Sequence, residues 1–212
     1  MMTSQYNRIA AMADLCRLLS ACYYEPSAAF TEERLFDALE IAASHIDADI
    51  AIRARELKSA FGANTHQELL VDYAHLFLGP VGLLAVPYES AWLAKRGEPA
   101  LETTQAILDL YAAGGFEIDP EFLDLPDHIA VELEFMYALL FRQAAALRDG
   151  DLQAISELNA LRARLVTNHL DRWLPDFQAA VLEGAQCTFY RNLVDLTVLS
   201  INTIRLVHEG QT

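Results

Sequence analysis

Apolar residues recur at helical spacing along nearly the whole chain. Ile9, Met12, Leu15, Cys16, Leu18, Leu19 and Cys22 mark one face of a first helix, which Tyr23-Tyr24-Glu25-Pro26 ends before the proline. A second helix is expected with Thr31 as N-cap and Phe30 stapled onto Leu35. Its first turn holds Glu32 and Glu33, where the helix dipole favours anions. A third covers about residues 49–61 and stops at Gly62; a fourth opens on the capping box Thr65-His66-Gln67-Glu68 and ends at Gly79-Pro80.

Gly79, Pro80, Gly82 and Pro87 then break the rhythm over residues 79–90, a long irregular connection of the kind that often carries function. A short helix near 90–95 follows, and another over 101–113 is closed by Gly114-Gly115 before a second break at 119–126. The helix predicted for 127–148 has a core stripe of Ile129, Leu133, Met136, Leu140 and Leu147 and stops at Gly150. The pattern then predicts helices over 151–173, from Pro175 to near Gly184, and over 187–207. The last is apolar on most sides and is expected to be central. Period-two alternation, repeats and flexible linkers are not seen. The pattern therefore predicts an all-α, single-domain bundle of about ten helices over residues 1–212.

Composition supports helices: Ala and Leu contribute 33 residues each, against 9 Gly and 7 Pro. Acidic residues outnumber basic ones 30 to 15, so the formal charge of −15 disfavours nucleic acid as a partner and favours a cationic one. Cys16, Cys22 and Cys187 form no C-x-x-C pair and read as reduced, partly buried thiols. The N-terminal stretch, broken by Asp14 and Arg17, does not read as a signal peptide. Apolar runs such as 135–141 are far shorter than a membrane span, so a cytoplasmic protein without stable membrane insertion is expected.

Candidate chemistry is sparse. His128 and Glu132 stand one helical turn apart and suit metal ligation or acid–base work, as do Asp72 and His75, but neither H-E-x-x-H nor paired E-x-x-H occurs. The plainer alternative makes Asp127 a partner of the helix dipole, and His128 and Glu132 hydrogen-bonding residues of a neighbouring loop. Gly79-Pro80-Val81-Gly82 lacks the Gly-Lys-Ser/Thr of a phosphate loop. Tyr73, Phe77, Tyr88 and Trp92 cluster around the irregular connection.

Two stretches carry a resemblance. The first is Asp72-Tyr73-Ala74-His75-Leu76-Phe77-Leu78-Gly79-Pro80, continuing to Pro87-Tyr88-Glu89-Ser90-Ala91-Trp92. The second is Leu125-Pro126-Asp127-His128-Ile129-Ala130-Val131-Glu132-Leu133-Glu134-Phe135-Met136. Together, in this order and spacing, they resemble the TorD/DmsD/NarJ family of redox-enzyme (molybdoenzyme) maturation chaperones over essentially the whole chain.

The resemblance implies a helical, non-catalytic chaperone. Its partner would be the catalytic subunit of a molybdopterin-dependent oxidoreductase, bound through the twin-arginine leader and in the apo form. The chaperone would assist cofactor insertion and delay Tat export until loading. Carried over by position, the peptide-binding residues would be Tyr73, Leu76, Phe77, Gly79, Pro80, Pro87, Glu89, Ser90, Trp92, Asp127, His128 and Glu132. Tyr73 stands where close relatives often have Trp. No cofactor is implied for the chaperone itself; weak guanine-nucleotide binding, proposed within the family, is predicted by no residue here. Relatives are monomers or helix-exchanged dimers. A leader with two guanidinium groups and an apolar stretch needs carboxylates beside an apolar groove, and Asp127, Glu132 and Glu89 are the carboxylates expected there. The rival within the family is a NarJ-like assembly factor for a membrane-associated nitrate reductase. The rival outside it is a metal-dependent helical hydrolase built on His75, His128 and nearby carboxylates.

Overall fold

A computed structural model describes residues 2–79, 84–119 and 121–209. Among them the helices are α1 (Met2–Ala21), α2 (Ala29–Glu32), α3 (Leu35–Ser44), α4 (Ala48–Ala63), α5 (His66–Tyr73), α6 (Glu89–Ala94), α7 (Ala100–Ala113), α8 (Ile129–Asp149), α9 (Leu152–Leu165), α10 (Asp171–Gly184) and α11 (Thr188–Glu209). Two π turns, Ala74–Leu78 after α5 and Val166–Leu170 between α9 and α10, widen the helical path. The all-α expectation holds. Among the described residues no strand forms, and no helix is long and apolar enough to cross a membrane.

The capping box opens α5 as expected: Thr65 Oγ1 accepts the Glu68 N–H at 3.2 Å, and Glu68 accepts the Thr65 N–H at 2.7 Å. Gly150 closes α8 at a φ of +72°, a left-handed position that glycine takes without strain. Thr31, by contrast, caps nothing. It lies inside the one-turn α2, and Arg34 at φ +52° turns the chain before α3 begins at Leu35, so Phe30 packs edge-on to Phe36 rather than stapling onto Leu35. The break expected at Pro175 is absent, because α10 runs through it. Pro175 forgoes the backbone bond to Asp171 O, and the helix continues past it.

The centre belongs to α8 rather than α11. Helix α8 buries Ile129, Leu133, Phe135, Met136 and Leu140, and its packing along α1 is the most extensive helix contact of the fold. Helix α11 packs on α4 and α10 and keeps Leu206 exposed. An aromatic seam of Phe36, Phe61, Phe189, Tyr190, Phe77, Phe177 and Trp173 joins these layers. The three cysteines are free and buried; burial pushes the Cys16 thiol up to about 12 and Cys187 up to about 11.

Candidate functional site

The two irregular segments are stitched to each other. Pro87 and Pro126 each favour an extended preceding residue. Tyr88 and His128 form an antiparallel bridge, with the Ile129 N–H donating to Pro87 O at 2.9 Å and the Glu89 N–H to Asp127 O at 3.0 Å. Asp127 Oδ2 accepts the Ser90 N–H at 2.7 Å and so caps α6. His128 Nδ1 accepts the Ala130 N–H at 3.0 Å and so caps α8. The Trp92 indole donates to Val86 O at 2.7 Å, and Tyr111 donates from below to Pro126 O at 3.0 Å.

Beneath this seam lies a buried acidic cluster. Glu89, Asp127 and Glu132 have no exposed surface, and the cation-capable partner is His169, whose Nδ1 shares a 2.8 Å hydrogen bond with Glu89 Oε2. The Val166–Leu170 π turn brings His169 there from 80 residues away. Burial raises the Glu132 carboxyl well above its ordinary value, and the Glu89 and Asp127 charges raise it further. Burial likewise raises Glu89, against the lowering hydrogen bond of His169. Among the described residues, both Glu132 oxygens, Glu89 Oε1, Asp127 Oδ1 and the Trp173 indole N–H complete no well-formed hydrogen bond, although the Trp173 indole lies close enough to Glu132 to lower its carboxyl in part. The cluster therefore favours a neutral Glu132.

Above the seam the surface is aromatic and acidic. The Tyr24 ring stacks on His128 at 5.8 Å with 4° between planes, and Tyr88 meets the imidazole edge-on at 5.2 Å. Tyr24 donates its hydroxyl to Glu134 Oε1 at 3.1 Å; Tyr88 donates to Asp124 Oδ1 at 2.7 Å. Burial pushes the Tyr73 phenol up to about 12, with the Glu25 and Asp124 charges adding to it. Burial pushes His128 down to about 4, against the pull of Asp124 and Asp127, so the imidazole is neutral. The same segments expose Leu84, Leu123 and Leu125.

The residues picked from sequence fall into three places. Leu76 and Phe77 are core: Phe77 packs against Tyr23, Tyr73, Phe177 and Tyr190. Pro87, Glu89, Ser90, Trp92, Asp127 and Glu132 are buried in or under the seam, with Lys95 Nζ 3.8 Å from the Trp92 ring centroid. Tyr73 and His128 are buried just under the aromatic strip, Gly79 is half-buried, and Pro80 lies outside the described residues. The carboxylates expected to face a ligand are thus inward-facing. Asp72 and His75 do not share a site: Asp72 is buried and accepts the Gln186 and Cys187 N–H groups ahead of α11, while His75 is exposed. Among the described residues no group of three or more His, Cys, Asp or Glu could hold a metal ion.

Tyr24, Asp124, Glu134, His169 and Trp173 were not singled out by the sequence. Tyr24 read only as a helix end, Asp124 as part of a break, and a π turn leaves no pattern to find.

The chain matches the family model described as nitrate reductase delta subunit over residues 44–179. It is 33% identical over 148 residues to the chlorate reductase assembly chaperone protein of Ideonella dechloratans, covering 69% of this chain and 74% of that one. It is 28% identical over 132 residues to the chaperone protein TorD of Vibrio vulnificus, covering 62% and 60% of the two chains. Among solved structures, a redox enzyme maturation protein from Archaeoglobus fulgidus superposes with a TM-score of 0.52 at 19% identity, covering 87% of this chain and 90% of that one.

Proposed function

Because the chain belongs to the nitrate reductase delta subunit family and is a TorD-like redox-enzyme maturation chaperone, we propose that it binds the twin-arginine leader and the apo form of a molybdopterin oxidoreductase catalytic subunit. Binding in the cytoplasm holds the precursor back from Tat export while the cofactor is inserted. The chaperone does no chemistry on its client.

The observation that carries this reading is the strip formed by Tyr24, His128 and Tyr88, with Asp124 and Glu134 at its ends. Guanidinium groups pair with carboxylates and stack on aromatic faces, and an apolar leader segment needs apolar surface beside them. Exposed Leu84, Leu123 and Leu125 offer that surface. The net charge of −15 steers a basic leader toward the chaperone.

Isothermal titration with a set of synthetic twin-arginine leaders tests the proposal, each beside a control peptide with both arginines changed to alanine. Selective binding of one or more leaders supports it. If no leader binds, or if leader and control bind equally, the reading gives way to a client recognised without a leader, as in the NarJ-like alternative.

A further inference from the structure

We infer that Asp124 and Glu134 are the carboxylates that receive the paired arginines of the leader, one at each end of the Tyr24–His128–Tyr88 strip, and that Glu89, Asp127 and Glu132 are the scaffold beneath. This rests on the leader-binding reading and assigns its charged contacts to two carboxylates that the sequence did not single out.

Three observations converge on the strip. First, each of the two carboxylates is oriented through one oxygen and keeps the other for a ligand. Asp124 Oδ1 accepts the Tyr88 hydroxyl at 2.7 Å and the Leu125 N–H at 2.7 Å; Glu134 Oε1 accepts the Tyr24 hydroxyl at 3.1 Å and the Ser20 hydroxyl at 3.0 Å. Oδ2 of Asp124 and Oε2 of Glu134 have no hydrogen bond among the described residues, and neither side chain enters an ion pair there. A carboxylate held by a tyrosine pays little ordering cost when a cation arrives.

Second, His128 presents a donor in the same place. The residue is buried, with 3% of its surface exposed, and Nδ1 is committed to the Ala130 N–H. The proton of the neutral ring therefore sits on Nε2, which has no partner among the described residues. An N–H held between two tyrosine rings suits a peptide carbonyl, as an extended leader would provide between its arginines.

Third, the chemistry of the walls selects arginine over lysine. A planar guanidinium can lie on the Tyr24 or Tyr88 face while donating to the carboxylate beyond it, whereas a compact, strongly hydrated ammonium gains less from either. The acidic trio below the seam cannot serve in this way, because its members have no exposed surface.

The test is a set of titrations of one binding leader, with its arginine pair and with each arginine singly changed to lysine. The proteins are wild type, Asp124→Asn, Glu134→Gln and Glu121→Gln. The last removes an equal exposed charge three positions from Asp124 and controls for the diffuse field. Asp124→Asn and Glu134→Gln should each weaken binding of the arginine pair about tenfold, as expected for loss of one charge-assisted hydrogen bond at a partly exposed site. Each should also become insensitive to the lysine change at one arginine only, a different one for each variant. Glu121→Gln should bind within about twofold of wild type. Unchanged affinity in both variants overturns the inference while leaving leader binding intact, as does an equal loss in Glu121→Gln. Failure of the wild type to bind any leader overturns the leader-binding reading and this assignment with it.

Discussion

Asp127 caps helix α6 through the Ser90 backbone N–H at 2.7 Å, not the helix α8 that it precedes in sequence. One carboxylate therefore ties the 84–90 segment to the 121–129 segment and fixes how Tyr88 lies against His128. Removing it should loosen the seam. Asp127→Ala is expected to cost about 1 to 2 kcal/mol in urea unfolding, the usual scale of a lost N-cap. Asp127→Asn keeps an acceptor for Ser90 and should stay within about 0.5 kcal/mol of wild type. Leader affinity should follow the same order if Asp127 acts as scaffold.

Glu132 gives a pH prediction of definite sign. Its carboxyl is raised in the folded protein by burial, then by Glu89 and Asp127, so the native state holds a proton that the unfolded chain releases near 4.5. Stability therefore falls as pH rises above 4.5. Glu132→Gln has no such proton to lose. Thermal unfolding should find variant and wild type closest at acid pH, with a gap in favour of the variant that widens as pH rises from 4.5 toward 8.

His128 acts with the opposite sign. Its folded value near 4 lies below the ordinary 6.5, so the native state resists a proton that the unfolded chain accepts. Stability contributed by the neutral ring is complete above pH 6.5 and is lost as pH falls toward 4, by about 2 to 3 kcal/mol. His128→Asn retains a cap acceptor for Ala130 and should abolish this acid loss, read by denaturant midpoints at pH 7 and pH 4.5.

Gly114 closes α7 against the centre of the bundle. A Cβ at this position would come within 2.6 and 2.7 Å of the Phe135 ring, which is fully buried and packed against Tyr111 and Phe116. Gly114→Ala should destabilise by about 1 to 3 kcal/mol. Gly62→Ala, where nothing lies within 4 Å, should be free of that overpacking cost. Chemical unfolding of the two variants side by side checks this.

Helix positions were legible because the apolar spacing, the Thr65–Glu68 box and the Gly150 stop are local signals. The path through Pro175 was not, because a proline in a sequence reads as a helix boundary, whereas α10 runs through it with Trp173, Leu174, Phe177 and Val181 buried. The site was half legible. The motifs led to Tyr73, Trp92, Asp127 and His128, which the structure gathers around one seam. Yet a carboxylate in a sequence reads as surface, and only the fold places Glu89, Asp127 and Glu132 in the interior and Asp124 and Glu134 at the rim. His169 meets Glu89 across 80 residues, a distance over which no spacing rule operates.

Hydrogen exchange with and without a saturating twin-arginine leader tests the central claim most directly. Slowed exchange should appear at residues 20–25, 84–90 and 121–134. The groove between α1 and α3 lined by Ala10, Ile41 and His45, and the one between α8 and α9 lined by Arg142, Leu161 and Arg164, should not change. Protection confined to either of those grooves, or no protection by any leader, would contradict the account.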